Sequence, residues 1–131
     1  MLPEPYRLRR HSDFSDTVRR GRRQGRRDLV VHVLERDRQE SLVSIGGPRF
    51  GLVVSKAVGP AVIRHRVARR LRHICADLVE ALPSETDIVL RALPGAGTAG
   101  SRELEKQVRS GLVRLGVLGS AAPAPRGGAR A

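Results

Sequence analysis

Phe50-Gly-Leu-Val-Val-Ser-Lys-Ala-Val-Gly-Pro-Ala-Val-Ile-Arg-His-Arg-Val-Ala-Arg-Arg-Leu-Arg-His73 reads as one buried strand, one small-residue turn and the first part of one helix. Phe50 to Ser55 is a short apolar run with paired valines, the pattern of a strand covered on both faces. Gly59-Pro60 turns the chain, and proline in the first helical turn costs nothing because its missing N–H would have no partner there. Ile63, Val67, Leu71, Ile74, Leu78 and Leu82 then recur at helical spacing within about 100° of arc. Pro83 ends the helix. His65, Arg66, Arg69, Arg70, Arg72 and His73 take the opposite side, so the positive charge is crowded into the first half of an amphipathic helix.

Working outward toward the N-terminus, Asp28 to Arg36 reads as a strand with both faces fairly apolar. Ser12 is placed to cap a short helix, with Asp13 and Asp16 in its first turn, Phe14 and Val18 on one face, and Gly21 as its stop. Residues 22–27, Arg-Arg-Gln-Gly-Arg-Arg, read as a basic loop. Residues 37–48 are polar and form an irregular connection with room for a short strand at 41–45. Toward the C-terminus, Thr86 to Ala92 is a strand and Leu93-Pro-Gly-Ala-Gly a loop. Ser101 is placed to cap a last helix whose buried stripe is Leu104, Val108, Leu112 and Leu115, with Gly111 weakening it modestly. From Gly116 the chain is rich in Gly, Ala, Pro and Arg and has too little apolar surface to order itself. The expected architecture is therefore α-β-β-(β)-α-β-α, a two-layer α-β sandwich. It forms a single domain over residues 1–115, followed by a disordered tail over 116–131.

The 131 residues carry a net charge of +12, with 23 Arg and only Lys56 and Lys106 as lysines. Two blocks hold the excess: residues 1–27 have a net of +6, and residues 49–75 a net of +7 with no acid at all. A soluble surface would intersperse the signs. Segregated arginine, with its planar fork for phosphate, points instead to a nucleic-acid partner. The turn places Ser55, Lys56 and the amides near Gly59 at a helix N-terminus, an end that favours anions. The arginine side then extends that site along one face.

Protein-borne catalysis finds no support. The four histidines and the lone Cys75 lack metal-ligand spacing, and Cys75 is expected to pack in the core. Ser55 has no His–Asp pair. The glycine-rich segments at 46–47 and 95–100 lack a P-loop lysine. No run is long and apolar enough to span a membrane and the N-terminus has no apolar core of a signal peptide, so the expectation is a cytoplasmic protein.

Gly51-Leu-Val-Val-Ser-Lys56, Gly59-Pro-Ala-Val62 and Arg64-His-Arg-Val-Ala-Arg-Arg-Leu-Arg72 resemble the bacterial ribonuclease P protein family. Its strand ends in G-x-x-V-S-K, its turn holds G-x-A-V, and its helix opens R-N-R-x-K-R-x-x-R. Arg7-Leu-Arg-Arg-His-Ser-Asp-Phe14, followed by Gly21, resembles the family's R-L-x-x-x-x-D-F…G opening. The resemblance spans roughly residues 6–115. His65 stands where the family usually has Asn, Ala68 where it has Lys, and Pro60 at a position often held by Asn.

The resemblance implies a ribosomal protein S5 domain 2-like fold with a left-handed crossover around the basic helix. It implies a protein subunit that works with a catalytic RNA to remove the 5′ leader of precursor tRNA, with Mg²⁺ held mainly by that RNA. Ser55, Lys56, Arg64, His65, Arg66, Arg69 and Arg70 would bind the catalytic RNA. Phe14, Val18, His32, Arg64, Arg69 and Arg72 would line the cleft for the leader. Two other readings fit a basic α/β domain. One is a structural RNA-binding module such as a ribosomal protein, which has no need of the N-terminal motif. The other is a DNA binder using the arginine helix, for which no helix-turn-helix partner or dimerisation element is present.

Overall fold

The computed structural model describes residues 6–8, 10–36 and 47–119. Helix α1 (His11–Arg20) is followed by strands β1 (Arg22–Gly25), β2 (Leu29–Glu35) and β3 (Arg49–Val53). Helix α2 (Ala61–Leu78), strand β4 (Thr86–Ala92) and helix α3 (Ser101–Arg114) complete the domain. The sheet order is β1-β2-β4-β3. β1 and β4 run antiparallel to β2, and β3 runs parallel to β4. α2 is thus the crossover between two parallel neighbours, and the α/β sandwich expected from the sequence is present. The possible strand at 41–45 and the segment from residue 120 lie outside the described residues.

β2 and β4 are central strands buried on both faces, which is why their sequences run apolar without strict alternation. Leu29, Val31 and Val33 share one core with Val67, Leu71, Ile74, Cys75 and Leu78 of α2 and Leu104, Val108 and Leu112 of α3. α2 and α3 therefore form one layer. α1 lies on the other face, where Phe14 meets Gly51. Cys75 is wholly buried and burial pushes its thiol pKa up, the inert state of a packing cysteine.

Several local expectations change. Residues 22–25 form an edge strand rather than a loop, with Arg22 opposite Val33 and Arg23 opposite His32. Its Arg-Arg-Gln-Gly sequence has no apolar alternation because one edge and most of both faces meet water, and the ladder to β2 supplies the structure. Ser12 is not the cap of α1: the Arg10 carbonyl accepts from Asp13 N at 3.0 Å and Phe14 N at 3.2 Å, so Arg10 is the cap and the helix starts two residues earlier. Ser101 likewise lies inside α3, with Gly100 ahead of it.

The domain also runs past residue 115. Gly116, at φ 81°, takes the left-handed conformation; its N–H donates to Val113 O and that of Val117 to Leu112 O. This pair of bonds closes the helix end and turns Val117 and Leu118 into the core, where both are buried. Gly111, expected only to weaken α3, has a packing role. A methyl there would lie 2.6 Å from Val31 Cγ2, so the glycine lets the helix touch β2.

Candidate nucleic-acid interface

The turn between β3 and α2 is held by Val58 N and Gly59 N donating to Ser55 O and Lys56 O, each at 3.1 Å. Gly59 sits at φ 152°, where a side chain would be strained and would press on Ile63. Ser55 and Lys56 are exposed on this turn. Arg64 reaches back to it, its Nε donating to Gly59 O at 3.1 Å.

α2 splits its cations between two flanks. The Arg70 guanidinium donates to Ala99 O at 2.8 Å, on the side toward the turn before α3. At 100° per residue Arg66 and His73 share that flank, Arg64 and Arg72 lie on the other, and His65 and Arg69 ride the crest. His65 and Arg69 are exposed, and Arg66 and Arg72 half-buried. Arg66, Arg69 and Arg72 have no acidic partner among the described residues, so their charge is available to an external anion.

The other face of the sheet carries a row of register partners: Arg23, His32, Val89 and Gly51. The Phe14 ring of α1 covers Gly51. One step along, Val30, Arg91 and Val53 form the next row on the same face. Val18 is 37% exposed. His32 is fully buried, and neither ring nitrogen has a hydrogen-bond partner among the described residues. Burial, with Arg91 and Arg23 adding repulsion, lowers its pKa and keeps it neutral. The ring offered as a leader contact is thus packed into the floor of the face. As placed it supports a surface and is not a stacking platform.

A polar network ties α1 to this sheet. Arg49 donates from Nε and one terminal nitrogen to the two carboxylate oxygens of Asp87, at 2.9 and 2.8 Å. It also meets Asp13 of α1 at 3.5 Å. The Arg36 guanidinium lies 3.4 Å from the same Asp87. Hydrogen bonding to Asp87 raises the Arg49 pKa, whereas burial lowers that of Arg36 against the pull of Asp87.

The structure therefore gathers Ser55, Lys56, Arg64, His65, Arg66, Arg69, Arg70 and Arg72 on or beside one helix, and Phe14, Val18 and His32 on the α1 side of the sheet. Sequence reasoning missed Arg23 and Arg91 on that side. The signal was available for Arg91, two residues beyond Val89 in an alternating strand, but not for Arg23 while 22–27 read as a loop. Among the described residues no three of His, Cys, Asp and Glu converge to hold a metal ion, and no helix is long and apolar enough to cross a membrane.

These features define a class: a two-layer α/β domain with an arginine-rich helix, of the kind that binds a polyanion. The family model described as Ribonuclease P matches residues 2–116. The ribonuclease P protein component of Rhodococcus opacus is 76% identical over 118 residues, covering 90% of this chain and 94% of that protein. That of Corynebacterium glutamicum is 50% identical over 123 residues, covering 86% and 92%. The RNase P protein structure from Staphylococcus aureus superposes with a TM-score of 0.73 at 24% identity, covering 86% of this chain and 97% of the other. That from Thermotoga maritima gives 0.64 at 21%, covering 83% and 93%. The chain belongs to the ribonuclease P protein family.

Proposed function

We propose that this chain is the protein subunit of a ribonucleoprotein endonuclease that removes the 5′ leader of precursor tRNA in the cytoplasm. α2 docks on the catalytic RNA, and the α1 side of the sheet receives the leader. The observation that carries the reading is the stretch from residue 49 to 75, which holds seven cations and no acid and presents Arg66, Arg69 and Arg72 without an acidic partner among the described residues. Tracking a folded phosphate backbone needs such a spread of charge, whereas reading one nucleotide does not.

Ser55, Lys56, Arg66, Arg69 and Arg70 meet phosphates of the catalytic RNA, with His65 donating from the crest. Arg64 and Arg72, on the other flank, join Arg69 in meeting the leader. Phe14 and Val18 give the leader an apolar strip; single-strand binders commonly use aromatic rings in this way. Arg23 and Arg91 add charge to that strip, and neutral His32 supports it from below. In this reading the magnesium ions and the activation of water belong to the RNA, as the family resemblance implies.

The test is cleavage of a precursor tRNA at low magnesium by a bacterial ribonuclease P RNA, with and without this protein. Accurate 5′ cleavage restored by the protein, and none by the protein alone, supports the reading. Tight RNA binding with unchanged cleavage overturns it in favour of a structural RNA-binding module.

A further inference from the structure

Six arginines between residues 19 and 27 remain once α2 and the leader strip are assigned roles, apart from the part Arg23 plays in the strip. Arg19 and Arg20 end α1, Arg22 and Arg23 lie on β1, and Arg26 and Arg27 lead into β2. β1 is the outer strand at the sheet edge opposite β3, and α3 packs over β1 and β2 while α2 packs over β3. This second cluster therefore lies across the domain from the arginines of α2.

Its charge is only partly compensated. The nine residues contain no acid; Arg22 lies 3.8 Å from Glu35, and Arg27 lies 3.3 Å from the buried Asp28, which also accepts from Gln107 Nε2 at 2.8 Å. Arg19, Arg20 and Arg23 are exposed and have no acidic or hydrogen-bonding partner among the described residues.

Its shape is concave. Between the β1–β2 turn and α3 lies a hollow of about 410 Å³, walled by Arg26, Arg27 and Lys106, with Ser110 and one acid, Glu103. The cations are held in place. Arg26 donates to Ser110 Oγ at 2.7 Å and to Gly25 O at 2.8 Å, and Arg27 donates to Glu103 at 3.1 Å. A guanidinium has five N–H donors, so each keeps donors for an external oxygen. At Gly25 a methyl would meet nothing within 4 Å, which leaves the strand end open.

Charge on an edge strand also guards against pairing with another sheet. That role needs cations on β1 alone. Here they extend to the last turn of α1 and, across the hollow, to Lys106 of α3.

We propose that the β1 flank is a second RNA-binding surface, which grips a phosphate backbone on the side of the domain away from α2. The inference rests on the RNA-binding function above and adds a second point of attachment. The flank shares Arg23 with the leader strip and lies away from α2, where the catalytic RNA docks, so its occupant is the body of the precursor tRNA whose leader the strip receives. Arginine and lysine around an open hollow read charge and spacing, not base identity.

The test uses the full chain carrying Arg20→Glu and Lys106→Glu, two exposed positions without described partners, so that folding is spared. One arm measures affinity for a bacterial ribonuclease P RNA across a salt series. The other measures precursor tRNA affinity for the assembled holoenzyme at saturating protein. The expected result is a loss on the order of tenfold in the precursor arm, with the salt slope there shallower by about two, and near wild-type affinity for the catalytic RNA. A loss confined to the catalytic-RNA arm overturns the assignment to precursor tRNA.

Wild-type affinity in both arms overturns the proposal, and so does an equal small loss in both, which is the effect of lower net charge. Arg66→Ala run alongside separates the two readings. If it weakens RNA binding while the double variant does not, the second surface fails and the function stands. If the wild-type protein binds neither RNA, the function itself fails.

Discussion

The ring of Phe14 occupies the space a side chain at Gly51 would take: a methyl added to that glycine would come within 2.5 Å of Phe14 Cζ and 3.2 Å of Leu8 Cδ1. The glycine of the strand motif and the phenylalanine of the N-terminal motif are thus two halves of one contact, and α1 sits at its height above the sheet because position 51 has no side chain. Gly51→Ala forces the ring up or the helix out. The expected cost is about 1–3 kcal/mol of stability, measured by chemical denaturation. Precursor affinity of the holoenzyme falls more than affinity for the catalytic RNA. Phe14→Leu in the same chain restores part of the stability, and strict additivity of the two changes would show that they do not share a contact.

Asp87 serves two guanidiniums and Asp13 shares one of them. Removing Asp87 leaves Arg36 and Arg49 short of a counter-charge in a side chain environment that is only 3% exposed at the acid, so Asp87→Ala costs about 3 kcal/mol. Asp13→Ala breaks a longer, wetter pair and costs below about 1 kcal/mol. Urea midpoints of the two variants check the order, and equal losses would contradict the geometry.

His32 binds its proton less well when folded than its ordinary value of 6.5. Below that value the unfolded chain takes up a proton that the folded chain refuses, so stability falls as the pH drops below about 6.5 and keeps falling down to the depressed folded value. His32→Phe removes this contribution. The difference between wild type and variant, followed by denaturation from pH 7.5 to pH 5, is expected to shift toward the variant as acid is added. A difference that stays flat would mean the ring is protonated in place.

Arg66 and Arg70 share a flank of α2 but differ in their ties. Arg66→Ala is expected to leave thermal stability unchanged while weakening binding to the catalytic RNA and lowering the salt slope by about one. Arg70→Ala also loses the bond to Ala99 O, so both stability and affinity fall. An unchanged salt slope for Arg66→Ala would remove it from the phosphate contacts.

The helix over 61–78 was readable because its buried apolar residues repeat at helical spacing, and β2, β3 and β4 because they are short continuous apolar runs, as strands covered on both faces are. β1 was not, because an edge strand of Arg-Arg-Gln-Gly is held by a neighbour's hydrogen bonds and has no period of its own. The end of the domain was missed for a related reason. Gly116 looked like the start of a featureless tail, but its left-handed turn sends Val117 and Leu118 back into the core. At the interface, the arginine helix was legible as charge, yet its division into two flanks depends on Ala99, far along the chain. His32 was legible as a polar residue in an apolar strand; that it is covered on all sides is a property of the α1 layer above it.

β4 is the strand that joins the halves of the sheet, pairing with β2 on one side and β3 on the other, and among the described residues it is also the last strand made on the ribosome. Until residues 86–92 emerge, among the described residues β2 has only the short β1 beside it and β3 only the single bridge from Arg7. A two-stranded hairpin is marginal in water, so a nascent chain that has already exposed every arginine of α2 still lacks a finished sheet. Folding closes from the middle and late in synthesis, and a chain cut before Thr86 is expected to be a cationic, largely unfolded polymer rather than a smaller version of the domain.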